Sequence, residues 1–231
     1  MKPHGKFTRI AGYALAASLL LAPIAHAASE DDPWEPMNRA IFGFNETVDR
    51  YTLKPLAEGY QKVLPDPVQR SVKNVFNNMG DVRNLANSLL QGKFHNAGVD
   101  TSRLLFNTTF GVFGLFDVAT KMGLERNDED FGQTLATWGI GSGPYLVLPL
   151  LGPSTVRDGL ALVPDSYTIP YRYLNDVPAR NSTLALDIVQ RRASVLSLEK
   201  MITGDRYVFI RNAYLQNREF RINDGQVEDD F

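Results

Sequence analysis

The sequence contains no cysteine, and only one of its three histidines, His95, lies beyond residue 27. No site with several histidine ligands can be built from it, and without thiols a zinc site is not expected. A Ser-His-Asp triad would have to use His95, and the chain has no G-x-S-x-G motif to present a serine. We therefore expect no metal, no cofactor and no enzymatic activity, and we expect His95 at the surface or at a helix end.

The chain also lacks an excess of positive charge. It has 24 Lys and Arg against 26 Asp and Glu, and three of the basic residues and none of the acidic ones lie within the first 27 positions. The remainder has 21 basic and 26 acidic residues, which gives a net charge of about −5. Such a chain has no general attraction for nucleic acid or for an anionic membrane surface. Any contact with lipid must therefore come from apolar side chains.

The first 27 residues have the three regions of a cleavable secretory signal peptide. Basic residues come first, residues 10–21 are mostly apolar, and the small residues Ala25 and Ala27 precede the expected cleavage point. The apolar stretch is shorter than the ~20 residues that a bilayer-spanning helix needs. We therefore predict that residues 1–27 are removed on export and that the working protein begins at Ala28.

Apolar residues at helical spacing run through most of residues 28–225. The first stripe, at i, i+4, i+7, i+11 and i+14, consists of Met37, Ile41, Phe44, Val48 and Tyr51. We expect Pro55 to end or kink this helix, and Gly80 and Asp81 to separate two further helices at 67–79 and 82–90. There is no internal repeat and almost no strand alternation. The pattern predicts an all-α single domain over 28–225, followed by a disordered acidic tail at 226–231.

Two segments are unusually apolar. Residues 104–119 contain four phenylalanines and a single charged residue. They could form a buried core helix, which their length favours, or lie in lipid, and both interpretations stay open. Residues 137–153 contain four glycines and three prolines, which exclude a regular helix. For this segment we predict an irregular apolar hairpin that inserts into a partner, a bilayer or the protein's own interior.

Several strings of residues resemble a single protein family in their order, spacing and length. The most specific is DFGQTL at 130–135, which continues as G-x-G-x-GPY at 139–145. The other strings are DPWEPMNR at 32–39, F-x-F-N at 42–45, the stretches 84–92 and 106–119, LP at 148–149, GPS at 152–154, RDG at 157–159, DRY at 205–207 and R-x-AY at 211–214. Over nearly the whole of 32–225, the chain resembles the MlaA (VacJ) family.

The resemblance implies a helical ring that is embedded in the inner leaflet of the Gram-negative outer membrane and encloses an amphipathic channel. Members of this family associate with trimeric porins. They take phospholipids mislocalised to the outer leaflet and pass them to a soluble periplasmic carrier, without covalent chemistry. On that basis we expect phospholipid transport that maintains outer-membrane lipid asymmetry, carried out at the periplasmic face of that membrane.

The resemblance also places the Asn38-Arg39 motif at the functional core of the ring and gives the hairpin control of access. We expect Asn38, Arg39, Ile41 and Phe44 near the lipid path. The Arg39 guanidinium could contact a lipid phosphate, or it could form a structural salt bridge. The residues expected to insert into the membrane or to gate access are Phe110, Phe113, Phe116, Tyr145, Leu146, Leu148 and Leu150.

The sequence departs from the family pattern at its start. Many members carry a lipobox that ends in cysteine, whereas here Ala27 and Ala28 follow the apolar stretch and cysteine is absent. We therefore expect no acyl anchor, and residence in the membrane through the apolar surface of the ring itself, helped by a porin. Two alternatives remain: a soluble periplasmic adaptor whose hairpin binds another protein, and, less favoured, a phospholipase that uses His95.

Overall fold

The computed structural model describes residues 32–226, so the predicted signal peptide at 1–27 and the predicted tail beyond residue 226 lie outside the described residues. The α-helices within this range are α1 (Glu35–Val48), α2 (Lys54–Val63), α3 (Asp66–Leu90), α4 (Phe94–Thr109), α5 (Val118–Lys121), α6 (Phe131–Thr137), α7 (Val156–Tyr167), α8 (Val177–Val195) and α9 (Arg206–Ile222). A π turn spans Asp49–Leu53, and two 3₁₀ turns span Pro170–Tyr173 and Leu198–Met201. Among the described residues, no helix is both long and apolar enough to cross a membrane.

Helix α1 runs into α2 without a break, although Pro55 lies at the start of α2. Proline has no N–H to donate and its ring crowds the carbonyl one turn earlier, so an ordinary helix is disturbed just before it. The π turn Asp49–Leu53 occupies that position, where backbone hydrogen bonds join residues five apart instead of four. The helical path therefore continues past Pro55, and the irregularity lies in the turn that precedes it.

Helix α3 is continuous from Asp66 to Leu90, so the predicted interruption at Gly80 and Asp81 is wrong. The Asp81 side chain is fully buried and paired with Arg103 and Arg126. A Cβ atom on Gly80 would come within 2.8 Å of Arg126 Nη2, so glycine makes room for that guanidinium. Tertiary contacts therefore account for the presence of both residues inside the helix and outweigh their low helix propensity.

Helix α4 ends at Thr109, so the prediction of one helix over 104–119 is wrong beyond that residue. The chain then turns sharply, with positive φ angles at Val112, Phe113 and Gly114. Gly111 is required in this turn, because an added Cβ would lie 2.2 Å from the carbonyl oxygen of Phe116. A glycine-rich turn closed this tightly cannot continue the helical hydrogen-bond ladder.

The predicted hairpin is present. Strand β1 (Tyr145–Leu148) pairs antiparallel with β2 (Gly152–Thr155), and Tyr145 lies opposite Thr155. Leu150 and Gly152 both have positive φ angles, which close the connection within three residues. This is the only sheet among the described residues.

The contacts between elements close into a circuit. Helix α1 leads through the π turn into α2, α2 packs on α8, α8 on α3, and α3 on α6. Helix α6 packs on α7, α7 on the hairpin, and β1 returns to α1. Helix α4 packs on α3, and α9 contacts both α6 and β2. The predicted all-α, ring-like fold with a hairpin insertion is confirmed.

The distribution of polar and apolar side chains is inverted relative to a water-soluble protein. Among residues 32–226, 21 polar or charged residues are buried but only ten hydrophobic ones, and five of those ten are alanines. Thirty-five large hydrophobic side chains are exposed in the same range. Soluble proteins instead bury their large aliphatic and aromatic residues. The interior of this fold is therefore held largely by hydrogen bonds and ion pairs.

Candidate functional site

Two buried arginines show how the polar interior is satisfied. Arg103 is 1% exposed, and its guanidinium donates to Asp81, Asp117 and the Leu124 carbonyl oxygen. It thereby ties α3, α4 and the segment around α5 together. A buried guanidinium is tolerated only when it is paired and hydrogen-bonded in this way.

The second buried arginine, Arg218 on α9, donates to Asp130 at 2.6 and 2.7 Å and to Asp158 at 2.9 Å. Burial alone raises the pKa of Asp130, but its hydrogen bonds to Arg218 outweigh burial and hold that pKa well below its usual range. Gly132 is needed beside this triad, since a Cβ there would lie 2.2 Å from Arg218 Nη2. The DFGQTL string thus contributes structural residues that join α6, α7 and α9.

Asn38 and Asn45 attach helix α1 to the free edge of β1. Asn38 donates from Nδ2 to the Tyr145 carbonyl at 3.1 Å and accepts from the Val147 N–H at 2.9 Å. Asn45 donates to the Leu148 carbonyl at 2.9 Å and accepts from the Leu150 N–H at 2.7 Å. Residues seven apart lie on one helix face, so the two amides act together in the place of a third strand.

The attachment at Asn38 is buried and includes α9. Asn38 also donates to Asp32 at 3.0 Å, and the Tyr207 hydroxyl donates to the other oxygen of Asp32. The rings of Tyr207 and Tyr145 meet edge to face, with their centroids 6.2 Å apart. Asn38 is fully buried, and Tyr145 is only 3% exposed. The structure therefore places both in the core, where the Tyr145 ring has no face to offer a membrane.

Arg39 forms a salt bridge in this structure. Its Nε donates to Glu35 at 2.6 Å, and its Nη2 lies 2.9 Å from Asp205. The guanidinium carbon also lies 4.4 Å from the centroid of the Tyr207 ring, which is a cation–π contact. Hydrogen bonds to Asp205 and Glu35 raise the pKa of Arg39. Of the two roles considered for Arg39, the geometry is that of the structural ion pair, which ties α1 to the start of α9.

The other predicted lipid-path residues, Ile41 and Phe44, differ in burial. Ile41 is half-buried against the Tyr145–Val147–Tyr207 cluster. Phe44 is 52% exposed. The neighbouring Phe42 packs edge to face on Tyr207 and also reaches the cleft described next.

An amphipathic cleft of about 520 Å³ opens beside the hairpin, between α1, the end of α8, the 3₁₀ turn Leu198–Met201 and α9. Its apolar lining consists of Phe42, Leu151, Pro153, Val195, Leu198, Ile202, Phe209 and Ile210. Its charged lining consists of Glu46, Asp49, Arg192, Glu199 and Arg206. A cleft with one oily wall and one ionic wall is suited to a ligand that is itself amphipathic.

The ionic wall is a connected cluster centred on Glu199. Arg192 donates to Asp49 at 2.6 and 2.7 Å and to Glu199 at 2.5 Å. Glu199 also accepts from Arg206 at 2.8 Å and from Lys54 at 3.0 Å. Partial burial raises the pKa of Glu199, but hydrogen bonds from Arg206, Lys54 and Arg192 outweigh it and lower that pKa to about 2. The carboxylate is therefore ionised throughout the neutral range.

Sequence reasoning missed this cleft. Its central ion pair joins Arg192 to Asp49, 143 residues earlier in the chain. An ion pair across such a separation leaves no local periodicity to detect. The one available signal was the apolar character of residues 137–153, a segment that includes Leu151 and Pro153 of the cleft lining.

The apolar residues predicted to insert or gate form two exposed groups. Phe110, Phe113 and Phe116 lie in the turn after α4 and are 71%, 77% and 57% exposed. The interpretation of that segment as buried core is therefore wrong. At the hairpin, Leu150 is exposed at the tip, while Leu146 and Leu148 are half-buried.

His95 lies exposed in the first turn of α4, as predicted. Within residues 32–226 its side chain makes no hydrogen bond. The described residues also contain no group of His, Cys, Asp or Glu that could hold a metal ion.

The fold and the cleft define a class of helical protein whose buried residues are mostly polar and which exposes many large apolar side chains. The family model described as MlaA lipoprotein matches residues 30–221. An uncharacterised protein of Rickettsia typhi is 36% identical over 192 residues, which cover 81% of this chain and 76% of that protein. The chain belongs to the MlaA family.

Relatives with a named role match over similar lengths. The intermembrane phospholipid transport system lipoprotein MlaA of Haemophilus influenzae is 31% identical over 87% of this chain and 82% of its own length. That of Escherichia coli K12 is 29% identical over 95% and 91%. A chain solved in work on the structural basis for maintenance of bacterial outer membrane lipid asymmetry superposes with a TM-score of 0.72 at 30% identity, covering 83% of this chain and 99% of that one.

Proposed function

We propose that this protein moves phospholipid out of the outer leaflet of the Gram-negative outer membrane and so maintains the lipid asymmetry of that membrane. The proposal rests first on relatives named as components of an intermembrane phospholipid transport system. It needs no covalent chemistry. The physical requirements are residence in a bilayer and a path that suits both acyl chains and a polar head group.

The observation that carries the proposal is the inverted distribution of side chains. Acyl chains cannot hydrogen-bond, so a protein within a leaflet must pair its polar groups internally and can present apolar groups outward. Arg103, Arg218 and Asp81 meet the first demand, because each is almost fully buried and paired. The exposed aromatic turn at Phe113 and Phe116 meets the second. A soluble periplasmic adaptor would have no reason to expose so much apolar surface.

The cleft beside the hairpin is the best candidate for a lipid-binding site. Its volume of about 520 Å³ accommodates part of a phospholipid, with acyl chains against Ile202 and Phe209 and a head group against Arg192. The hairpin tip, at Leu151, forms one edge of the opening. Movement of the hairpin about its attachment to α1 would therefore change access to the cleft.

The membrane location and the partners follow from the same proposal. The protein would lie at the periplasmic face of the outer membrane, held by its exposed apolar surface and by a trimeric porin. It would pass its lipid to a soluble carrier of the periplasm.

Lipid retention by the purified protein tests the role of the cleft. The full chain would be extracted in mild detergent, and the phospholipid that co-purifies with it would be quantified by mass spectrometry. Val195→Trp fills the cleft and should reduce bound lipid several-fold, since the bulkier ring occupies the space of an acyl chain. Val63→Trp is the matched control, because Val63 is also an exposed last residue of a helix but lies outside the cleft lining. Equal lipid content in both variants would contradict the proposal.

A further inference from the structure

The ionic wall of the cleft has no excess of positive charge. Its lining includes two arginines and three carboxylates, and Lys54, which reaches Glu199 from outside the cleft, adds a third positive charge. The whole cluster therefore holds three positive and three negative groups. A wall of zero net charge does not favour an anionic ligand over a neutral one, but it can match a ligand that carries both signs.

The two arginines keep donors that can bind a phosphate. Arg192 uses Nε and Nη2 for its partners, and Arg206 uses Nη2 for Glu199 and places Nε 2.6 Å from Glu46. Within residues 32–226, neither arginine uses Nη1 in a hydrogen bond. Guanidinium N–H groups match the geometry of phosphate oxygens. The two Nη1 groups can therefore meet a phosphodiester without breaking the ion pairs that position them.

Glu46 offers the complementary charge. Both oxygens of Asp49 and of Glu199 are already engaged by basic side chains. Glu46 instead uses Oε1 toward Arg206, and within the described residues its Oε2 has no such pair. Its side chain is 33% exposed and lines the same cleft. A primary ammonium near the arginines would be attracted to this oxygen.

We propose that the cleft selects a zwitterionic phospholipid with a primary ammonium group, the phosphate on Arg192 and Arg206 and the ammonium on Glu46, over phospholipids of net negative charge. This inference rests on the proposed function, because it names which phospholipid the protein carries. The acyl chains would extend from the ionic wall along Leu198, Phe209 and their apolar neighbours.

The test is a competition between two lipids with identical acyl chains. The full chain in detergent would be mixed with equal amounts of dioleoyl phosphatidylethanolamine and dioleoyl phosphatidylglycerol, repurified, and its bound lipid quantified by mass spectrometry. We expect about five-fold enrichment of the ethanolamine lipid, the size expected for one charge-assisted hydrogen bond to a partly exposed group. Glu46→Gln keeps the shape of the side chain and should bring the ratio to about one. Glu58→Gln, which removes a carboxylate outside the cleft lining, should keep the wild-type ratio.

A second variant tests the phosphate side of the site. Arg206→Lys keeps the charge but loses the planar fork, so it should lower binding of both lipids. Equal binding of the two lipids by the wild-type chain would overturn the inference while leaving the proposed function in place, as would an unchanged ratio in a folded Glu46→Gln protein. Failure of both lipids to bind would overturn the proposed function itself. Displacement of bound lipid by an equal concentration of glycerophosphoethanolamine would show that the acyl chains contribute nothing, which also overturns the inference.

Discussion

The attachment of the hairpin to α1 leads to a quantitative prediction. Asn45→Ala removes two hydrogen bonds, to the Leu148 carbonyl at 2.9 Å and from the Leu150 N–H at 2.7 Å. Each is worth about 1 kcal/mol net. Because Leu150 is 64% exposed, water can replace part of what is lost. We therefore expect the local cost to be about 1–2 kcal/mol, confined to the hairpin.

The equivalent change at Asn38 should behave differently. Asn38 is fully buried, and its loss leaves the Tyr145 carbonyl, the Val147 N–H and one Asp32 oxygen without their partner. Buried groups without partners cost about 1–3 kcal/mol each, so Asn38→Ala should lose about 3–5 kcal/mol. That is a large share of the stability of an ordinary domain. The effect of Asn38 should therefore be global, whereas that of Asn45 should be local.

Hydrogen exchange followed by mass spectrometry separates the two effects. Asn45→Ala should speed exchange of the Leu150 amide about five- to thirty-fold and leave peptides of α3 and α4 unchanged. Asn74→Ala is a matched control, because it removes a hydrogen bond to the Leu115 carbonyl in a different turn. Unchanged exchange in the hairpin of Asn45→Ala, or equal acceleration in every peptide, would refute the reasoning.

Three further changes test other parts of the structure. Phe113→Asn should leave thermal stability unchanged, since asparagine tolerates the positive φ angle of 57° at this residue. It should lower vesicle binding about ten-fold in a flotation assay, because an exposed apolar ring is lost. Equal flotation of variant and wild type would contradict this. The pKa of Glu199 falls on folding from 4.5 to about 2, so its contribution to stability is complete above pH 4.5 and is lost as pH falls toward 2. Glu199→Gln should therefore lower the free energy of unfolding by about 1–2 kcal/mol at pH 7. In denaturant titrations at a series of pH values, the variant should lose less stability than wild type as the pH falls toward 2. A stability–pH curve that runs parallel to that of wild type would count against this prediction. Gly111→Ala should destabilise the protein by about 2 kcal/mol or more, because its Cβ would meet backbone oxygens at 2.2 and 2.4 Å. Gly98→Ala, in an open helical position, should not be destabilising in the same unfolding experiment.

The elements whose hydrophobic stripes were regular could be predicted from the sequence. The stripe from Met37 to Tyr51 predicted the helix that the structure contains as α1. The Gly- and Pro-rich stretch over 137–153 predicted the hairpin. The boundaries that failed depend on tertiary contacts. Gly80 was expected to break a helix, but it makes room for Arg126.

The candidate site was predictable only in part. The resemblance directed attention to Asn38 and Arg39, and the structure places both at the junction of α1 with the hairpin and α9. Their contacts are structural, which a motif cannot reveal because it does not say which way a side chain points. The cleft itself depends on ion pairs such as Asp49 with Arg192, which join positions far apart in sequence.

The exposed phenylalanines illustrate the same difficulty. An apolar run indicates burial in a soluble protein and exposure in a protein that contacts lipid, so composition alone could not choose between the two for residues 104–119. The turn closed by Gly111 decides it, because it ends α4 and leaves Phe110 and Phe113 exposed. Once the chain is folded, the buried arginines and the exposed aromatics support the same conclusion.

The central claim is that the protein removes phospholipid from the outer leaflet of the outer membrane. The most direct measurement is labelling of surface aminophospholipid with an amine-reactive reagent that does not cross membranes, in cells of the source bacterium lacking the gene. Deletion should raise the labelled phospholipid, and wild type and Val63→Trp should restore the low level while Val195→Trp should not. Labelling that stays at the wild-type level after deletion would contradict the account.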